Sequence, residues 1–510
     1  MHEMTDRTYD YVIAGGGTAG CVLAARLSED PSVTVALIEA GPTDVDNKDI
    51  LELSQWMKLL DSGYDWDYPI EPQEKGNSFM RHARAKVLGG CSSHNSCIAF
   101  HPPARTLDEW ESMGAAGWGS KDILPFVDRV AGTVHLRDVP PLDPCGAAVL
   151  ESAAAEGLPT VQFNRGETIL NGAGWFQINA SDDGLRMSTS HAYLHPILGN
   201  RSNLDVLTGC WVSEILIDDT LTATGVRYQR PDLTGYDTAS ARSEVIVTAG
   251  AIDTPKLLML SGIGPSVHLR EMGIDVRVDS PGVGANLDDH VEGLVFWEAS
   301  KPMVTTSSQW WEIGLFATTR PELSYPDVMM HYGSVPFDMN TLRWGYPTTD
   351  NGFCLTPNVT QGLSRGTVRL RSLDFRDRAK VDPRYFTDVD GHDDQVMLAG
   401  LKLARRIADR PAMREWVARE LAPGPDAVTD DDLIDYVHKT HNTVYHPAGT
   451  AKMGSSDDPM AVLDSELRVR GVRNLRVVDA SAMPKLPTVN PNITVMTMAE
   501  KCADLIRTAR

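Results

Sequence analysis

Glycines at 15, 17 and 20 and a glutamate at 39 carry the spacing that holds a dinucleotide. The run Gly15-Gly16-Gly17-Thr18-Ala19-Gly20 is a GxGxxG turn: Gly15 permits the tight bend, Gly17 lets backbone approach a pyrophosphate, and Gly20 lets the next helix pack closely. The first turn of that helix, with Thr18, offers free amides to phosphate oxygens. Glu39 would accept hydrogen bonds from the adenosine ribose and repel a 2′-phosphate, which argues against an NADP-like ligand. A second block, RAKVLGGCSSHNSC over 84–97, pairs Gly89 and Gly90 with small hydroxyl residues, a composition suited to backbone passing close to a flat ligand, and His94 stands inside it. His441 and His446 are five apart, but no acidic or cysteine ligand lies near them at helical spacing, and Cys91 and Cys97 fit neither a zinc module nor a redox pair. No metal site is expected.

These residues need elements to position them. Tyr11 to Ile13 reads as a buried strand, Ala19 to Ser28 as a helix with Val22, Leu23 and Leu27 on its apolar face, and Val33 to Ile38 as a second strand ending at Glu39. Val245 to Gly250, followed by the apolar run Ala251 to Leu260 and a glycine-rich stop, is another βα unit. The end of the chain returns to this style, with a strand at 475–478, a turn at 479–481 and a helix at 492–506 whose N-terminus would favour an anion. The segments 327–332, 366–372 and 380–386 are β-like and suggest an antiparallel sheet. Val396 to Ile407 has helical spacing, and Thr429 is placed to cap the helix after it. Between 49 and 60, Ile50, Leu53, Met57 and Leu60 form a helical stripe with Trp56 and Leu59 off it, either a core helix or a lid. There is no repeat and no second complete fingerprint, so one nucleotide is expected.

At 510 residues the chain is long for one core, and two domains are expected. A formal charge of -22, from 47 basic and 69 acidic residues, argues against nucleic acid and mildly favours a cationic small molecule, solubility being the plainer use of those charges. The N-terminus is polar, no apolar run reaches membrane-spanning length, and seven scattered cysteines read as reduced thiols, so a cytoplasmic location is expected.

With these blocks in view, the chain resembles the glucose-methanol-choline (GMC) family of flavin oxidoreductases. The resemblance rests on the N-terminal fingerprint, RAKVLGGCSSHN, GAIDTPKLLMLSGIG and VVDASAMPKLPTVNPNITVM, and covers essentially the whole chain. Within the family it is most similar to the choline-oxidising members, through SGYDWDYPIEPQ, DHVEG, QWWEIG, HYGSVPFDMN and HNTVYHPAGT. It implies an α/β fold with a Rossmann-like FAD-binding domain (1–145, 183–291, 444–510) and a discontinuous substrate domain (146–182, 292–443) on an antiparallel sheet with helices. It implies FAD joined covalently to His94, with Asn95, Val212, Val444, Asp479, Ala480 and Asn490 along the cofactor. His446 and His331 would sit beside the substrate hydroxyl. Asn490, which cannot act as a base, would hydrogen-bond flavin or substrate, and Ser96 would lie near the reacting alcohol, a plain turn serine being the alternative. Glu292 would face the cation, with Trp56, Trp311, Phe337 and Tyr445 as aromatic walls, although any one of these rings is more often core than cage. His290 and His438 are left structural. The implied activity is oxidation of choline or a close amino-alcohol by hydride transfer to flavin N5, with dioxygen reduced to hydrogen peroxide and a second round from betaine aldehyde to glycine betaine. A dehydrogenase using another acceptor and a hydroxynitrile lyase on the same fold are the rivals. The stretch 124–134 is shorter than the connection expected in the family and reads as a trimmed surface loop, with a possible effect on a homodimer contact.

Overall fold

The computed structural model describes residues 6–165, 171–230, 232, 235–303, 307, 309–338 and 340–509. Met1 to Thr5 of the polar N-terminus and Met339 of HYGSVPFDMN lie outside them.

Two sheets organise the chain. The first runs in the order Trp211–Ile217, Ala223–Gln229, Tyr236–Val247, Asp6–Ala14, Val35–Ile38, Leu204–Leu207, with Leu475–Val477 pairing the far half of Tyr236–Val247. Val12 lies opposite Val245 and Tyr11 opposite Val35, both in parallel register. Helices cover this part of the sheet, so its strands are continuous apolar runs, and Val12, Ile13, Val35 to Leu37 and Val245 to Val247 are fully buried. Helix Thr18–Leu27 packs against the C-terminal helix Asn492–Thr508, and Arg26 bonds the buried Glu500 carboxylate at 2.8 Å. Helix Gly250–Leu260 follows the long strand as its residues lead one to expect.

The second sheet is antiparallel, in the order Val417–Ala422, Val295–Ala299, Gly352–Val359, Val328–Gly333, Trp311–Ala317, Gly172–Trp175. The short strand Val291–Glu292 joins it beside Asn358 and also pairs with Asn442–Thr443. Helix His392–Ala408 packs on strand Gly352–Val359, and Thr429 caps Asp430–Thr440 through a capping box with Asp432.

Two local expectations are corrected. Residues 49–60 are not one α-helix: an α-turn, Lys48–Leu51, gives way to a 3₁₀ helix, Leu53–Leu59. At three residues per turn it is Leu53, Trp56 and Leu59 that share the inward face, so the two residues off the α-helical stripe point into the molecule. The stretch 124–134 is the body of helix Ser120–Thr133, with Ile123, Val127 and Val130 buried, rather than a surface loop.

Candidate active site

The parallel strands end together, and at their carboxyl ends opens a cavity of about 2130 Å³, counted out to its mouth. Its nucleotide end is made by the first glycine turn. Gly15 has φ +115, and a Cβ there would lie 2.6 Å from the Thr248 carbonyl oxygen. A Cβ on Gly20 would lie 2.0 Å from the Gly15 oxygen, which is the close helix packing expected of that position. Gly17 is different. A Cβ on it would meet nothing of the protein closer than 3.5 Å, so its bareness serves whatever fills the cavity. Gly90 abuts it, since a Cβ on Gly90 would lie 2.6 Å from Gly17 Cα, and the two close-approach turns therefore share one wall.

Three helices begin on this wall: Thr18–Leu27, Gly250–Leu260 and Asn492–Thr508. Their free amides and dipoles converge on one volume, a setting for an anion such as a pyrophosphate. Asn492 Nδ2 is buried without a partner and offers a donor there, and Asn490 Oδ1, also unpartnered, opens on the same cavity towards its other end. Glu39 takes the amides of Gly16 at 2.8 Å and Gly41 at 2.7 Å, and burial raises its pKa to about 7. Its fixed carboxylate on the cavity wall suits ribose hydroxyls. Open glycine faces, converging helix starts, an orphaned amide donor and a seated acid together fit the dinucleotide the sequence calls for.

The other end of the cavity is lined by His94, Ser96, Glu292, Trp56, Trp311, His331, Phe337, Val444, Tyr445, His446 and Asn490. His94 is 5% exposed and its Nε2 donates to the Leu59 carbonyl at 3.0 Å; burial lowers its pKa to about 4, so the ring is neutral. Burial likewise lowers His331 to about 4 and His446 well below its ordinary range. Neutral imidazoles at neutral pH can accept a proton. Glu292 is placed by the bridge between strands, opposite Asn442 and Asn358. It is 7% exposed, accepts from Asn442 Nδ2 at 3.3 Å, and burial pushes its pKa up to about 8. The walls beside it are aromatic: Trp311 and Phe337 meet edge to face at 5.3 Å, Tyr445 OH accepts from the same Asn442 Nδ2 at 3.3 Å, and Trp56 is fixed by its Nε1–H to the Gln309 carbonyl at 2.9 Å.

Of the positions named from sequence, Gly15, Gly17, Thr18, Glu39, Gly90, Asn95, Val212, Asp479 and Ala480 also line this one cavity. Gly20 and Gly89 do not; Gly89, at φ +89, shapes the loop from behind and donates to the Gly16 carbonyl at 2.7 Å. Asp479 spends its carboxylate on the Gly250 amide at 2.9 Å, the Thr254 hydroxyl at 2.7 Å and the Ser481 amide at 2.8 Å, capping a helix start rather than reaching out. His441 bonds the carbonyls of Val437 and His438 and does not join His446; among the described residues no group of three or more His, Cys, Asp or Glu could hold a metal ion.

Sequence reasoning missed the groups behind His446. His290 Nδ1 lies 2.9 Å from His446 Nδ1, so it belongs to the site and not merely to the scaffold. Asp289 accepts from the backbone amides of His290 at 3.0 Å and His446 at 2.9 Å, from Thr443 Oγ1 at 2.6 Å, and from Tyr385 OH, with His82 Nε2 at 3.2 Å. Burial opposes its charge, but His82, Thr443 and Tyr385 outweigh burial and hold it well below the usual carboxylate range. The one available signal was the stretch DHVEG, where an acid and a histidine stand just before Glu292. Arg84 also lines the cavity and donates to the Tyr445 carbonyl, holding a residue whose φ is +65.

Residues 9–292 and 362–499 match the N- and C-terminal models of the GMC oxidoreductase family. The chain is 58% identical over 526 residues to choline oxidase of Arthrobacter globiformis, an alignment covering 100% of this chain and 96% of that protein. It is 34% identical to the oxygen-dependent choline dehydrogenase of Rhizobium rhizogenes, over 98% of this chain and 95% of that one. Among solved structures, pyridoxine 4-oxidase from Mesorbium loti superposes with a TM-score of 0.89 at 29% identity, covering 98% of this chain and 99% of the other. With both family models matched across most of its length and such relatives aligned end to end, the chain belongs to the GMC oxidoreductase family.

Proposed function

We propose that the protein is an FAD-dependent oxidase of choline that also oxidises betaine aldehyde to glycine betaine. The observation that carries this reading is that the buried Glu292 carboxylate, the aromatic walls and the His446 and His331 imidazoles share the cavity on which the glycine turns and helix starts open. A quaternary ammonium cannot donate a hydrogen bond, so a site recognises it by a carboxylate and aromatic faces, each face contributing about 0.5–2 kcal/mol. The 58% identity to choline oxidase supports the same substrate.

FAD, when bound, accepts a hydride at N5 and passes the electrons to dioxygen. The remaining work falls to side chains. Hydride leaves the alcohol carbon only as its oxygen becomes alkoxide-like, and a base at that oxygen accelerates the step by roughly two to four powers of ten. In our reading His446 is that base. In this reading the hydrogen shared between the two facing Nδ1 atoms sits on His446. His290 Nδ1 then accepts from His446 Nδ1–H, which leaves His446 Nε2 bare for the substrate proton. His331 assists at the same oxygen, Ser96 and Asn490 hydrogen-bond around it, and His94 attaches the cofactor. A hydrated aldehyde presents the same C–H and O–H groups, so the same residues serve a second round.

Oxygen uptake by the purified protein tests this. Choline and betaine aldehyde are expected to drive uptake with one peroxide formed per dioxygen, while simple aliphatic alcohols are poor substrates. Turnover with a dye but no peroxide would instead favour a dehydrogenase.

A further inference from the structure

Behind His94 stands a cation with no carboxylate of its own. Arg186 is fully buried, and among the described residues no carboxylate lies within ion-pair distance of it; the other fully buried arginine, Arg476, is bonded to Glu244 at 2.6 Å. Burying a guanidinium without a counter-charge is costly, so its position calls for a reason. Its donors go chiefly to backbone carbonyls, Nε to Ile50 at 2.7 Å and Nη1 to Asn95 at 2.6 Å and Ser92 at 3.2 Å, with longer contacts from Nη1 to Asn95 Oδ1 and Cys97 Sγ at 3.4 Å, while Nη2 has no partner. Ser92 and Asn95 flank His94 in the chain. Ile50 opens the segment that ends at Leu59, and the Leu59 carbonyl is the acceptor that orients the His94 ring. One side chain therefore ties together the loop that carries the imidazole and the segment that aims it.

We propose that Arg186 is a positioning residue for attachment of FAD to His94, a role that rests on the reading of His94 as the attachment point. The bond to be made joins an imidazole nitrogen to the 8α carbon of the flavin. One C–H proton and one N–H proton leave, and the two electrons released pass to dioxygen, giving hydrogen peroxide. The nitrogen must be unprotonated and held against a methyl group that is itself fixed by the dinucleotide site. The charged groups around His94 are Asp65, Arg84 and Arg186. Asp65 lies 3.9 Å from Nε2 but has its oxygens taken by the amides of Asp61, Asp67 and Arg84, whereas both arginines disfavour a charged ring. Arg186 thus holds the loop and the segment that aim the ring, and its charge adds to burial in keeping the ring neutral.

The test is the purified full chain with Arg186→Met and Arg186→Lys. Total flavin is read from absorbance, and the covalent part from the colour that stays with protein precipitated by acid, followed over time in air after FAD is supplied. At full FAD loading, Arg186→Met is expected to form acid-stable flavin about 10²-fold more slowly, the scale of a small misplacement of reacting groups. The acid limb of its rate moves to higher pH, because a like charge beside His94 is gone. Arg186→Lys keeps the charge but not the fork spanning two carbonyls, so it forms the bond about tenfold more slowly with the acid limb unmoved. If the methionine variant does not fold, the lysine variant decides. Covalent flavin at the wild-type rate in either loaded variant overturns the role of Arg186. Wild-type protein whose colour leaves with the supernatant overturns the reading of His94 instead.

Discussion

Glu292→Gln separates the charge of the substrate from its shape. Burial raises the carboxyl pKa to about 8, and its wall is aromatic. A bound ammonium at a separation of about 5 Å, with an effective dielectric of about 20, is attracted by about 3 kcal/mol, on the order of 10² in binding. Above pH 8, where the carboxyl is ionised, choline should therefore lose about two powers of ten in kcat/KM, almost all of it in KM. The uncharged tert-butyl isostere of choline fills the same volume and should change by less than about threefold. The proton supplies a second readout with a definite sign. The cation binds the ionised form, so below pH 8 the wild-type KM for choline rises, by about tenfold for each further unit until it levels off roughly two units down at the value of the glutamine variant. The limb is absent for the isostere and absent in the glutamine variant. Initial rates of oxygen uptake across the pH range give all of these values. Equal losses for choline and its isostere, or a limb that survives in the variant, would refute the assignment of the cation to Glu292.

Two further substitutions probe the remainder of the site. Gly17→Ala adds a methyl that the protein can accommodate but a pyrophosphate cannot, so the flavin-free thermal midpoint holds while FAD is lost on gel filtration; Gly20→Ala, whose Cβ would lie 2.0 Å from a carbonyl oxygen, lowers the midpoint with or without FAD. His446→Ala should lower the rate of flavin reduction by about 10² to 10⁴ with a modest change in KM, measured by stopped flow. Because burial holds His446 well below its ordinary pKa, wild-type kcat at saturating choline should show no acid limb above about pH 6, in contrast to kcat/KM.

The nucleotide end of the site was legible because each of its residues has a separate physical job. Gly15, Gly17 and Gly20 differ in what a methyl would strike, and the strand, turn, helix and acid around them follow from local pattern. The substrate end was not legible from pattern alone. Glu292, His331 and His446 lie on different strands and loops, and only the family resemblance brought them forward together. Trp56 was misread as off-stripe because a 3.6-residue period was assumed where the chain takes a 3₁₀ turn. Arg186 and Asp289 were invisible for another reason: their partners, at Ile50 and Asn95 for one and at His82, Tyr385 and Thr443 for the other, are far away in sequence and mostly offer backbone or hydroxyl groups that carry no motif. His290, in the loop just before strand Val291–Glu292, was set aside as structural because no motif singled it out. Its meaning appears only with His446 beside it.

The most direct test is an anaerobic titration of the flavin-loaded protein with choline, followed by admission of air. One cavity holding flavin, base and cation site predicts that the yellow absorbance bleaches within the first turnover and returns with one peroxide per flavin. Absorbance that stays unchanged in choline without oxygen would contradict that arrangement.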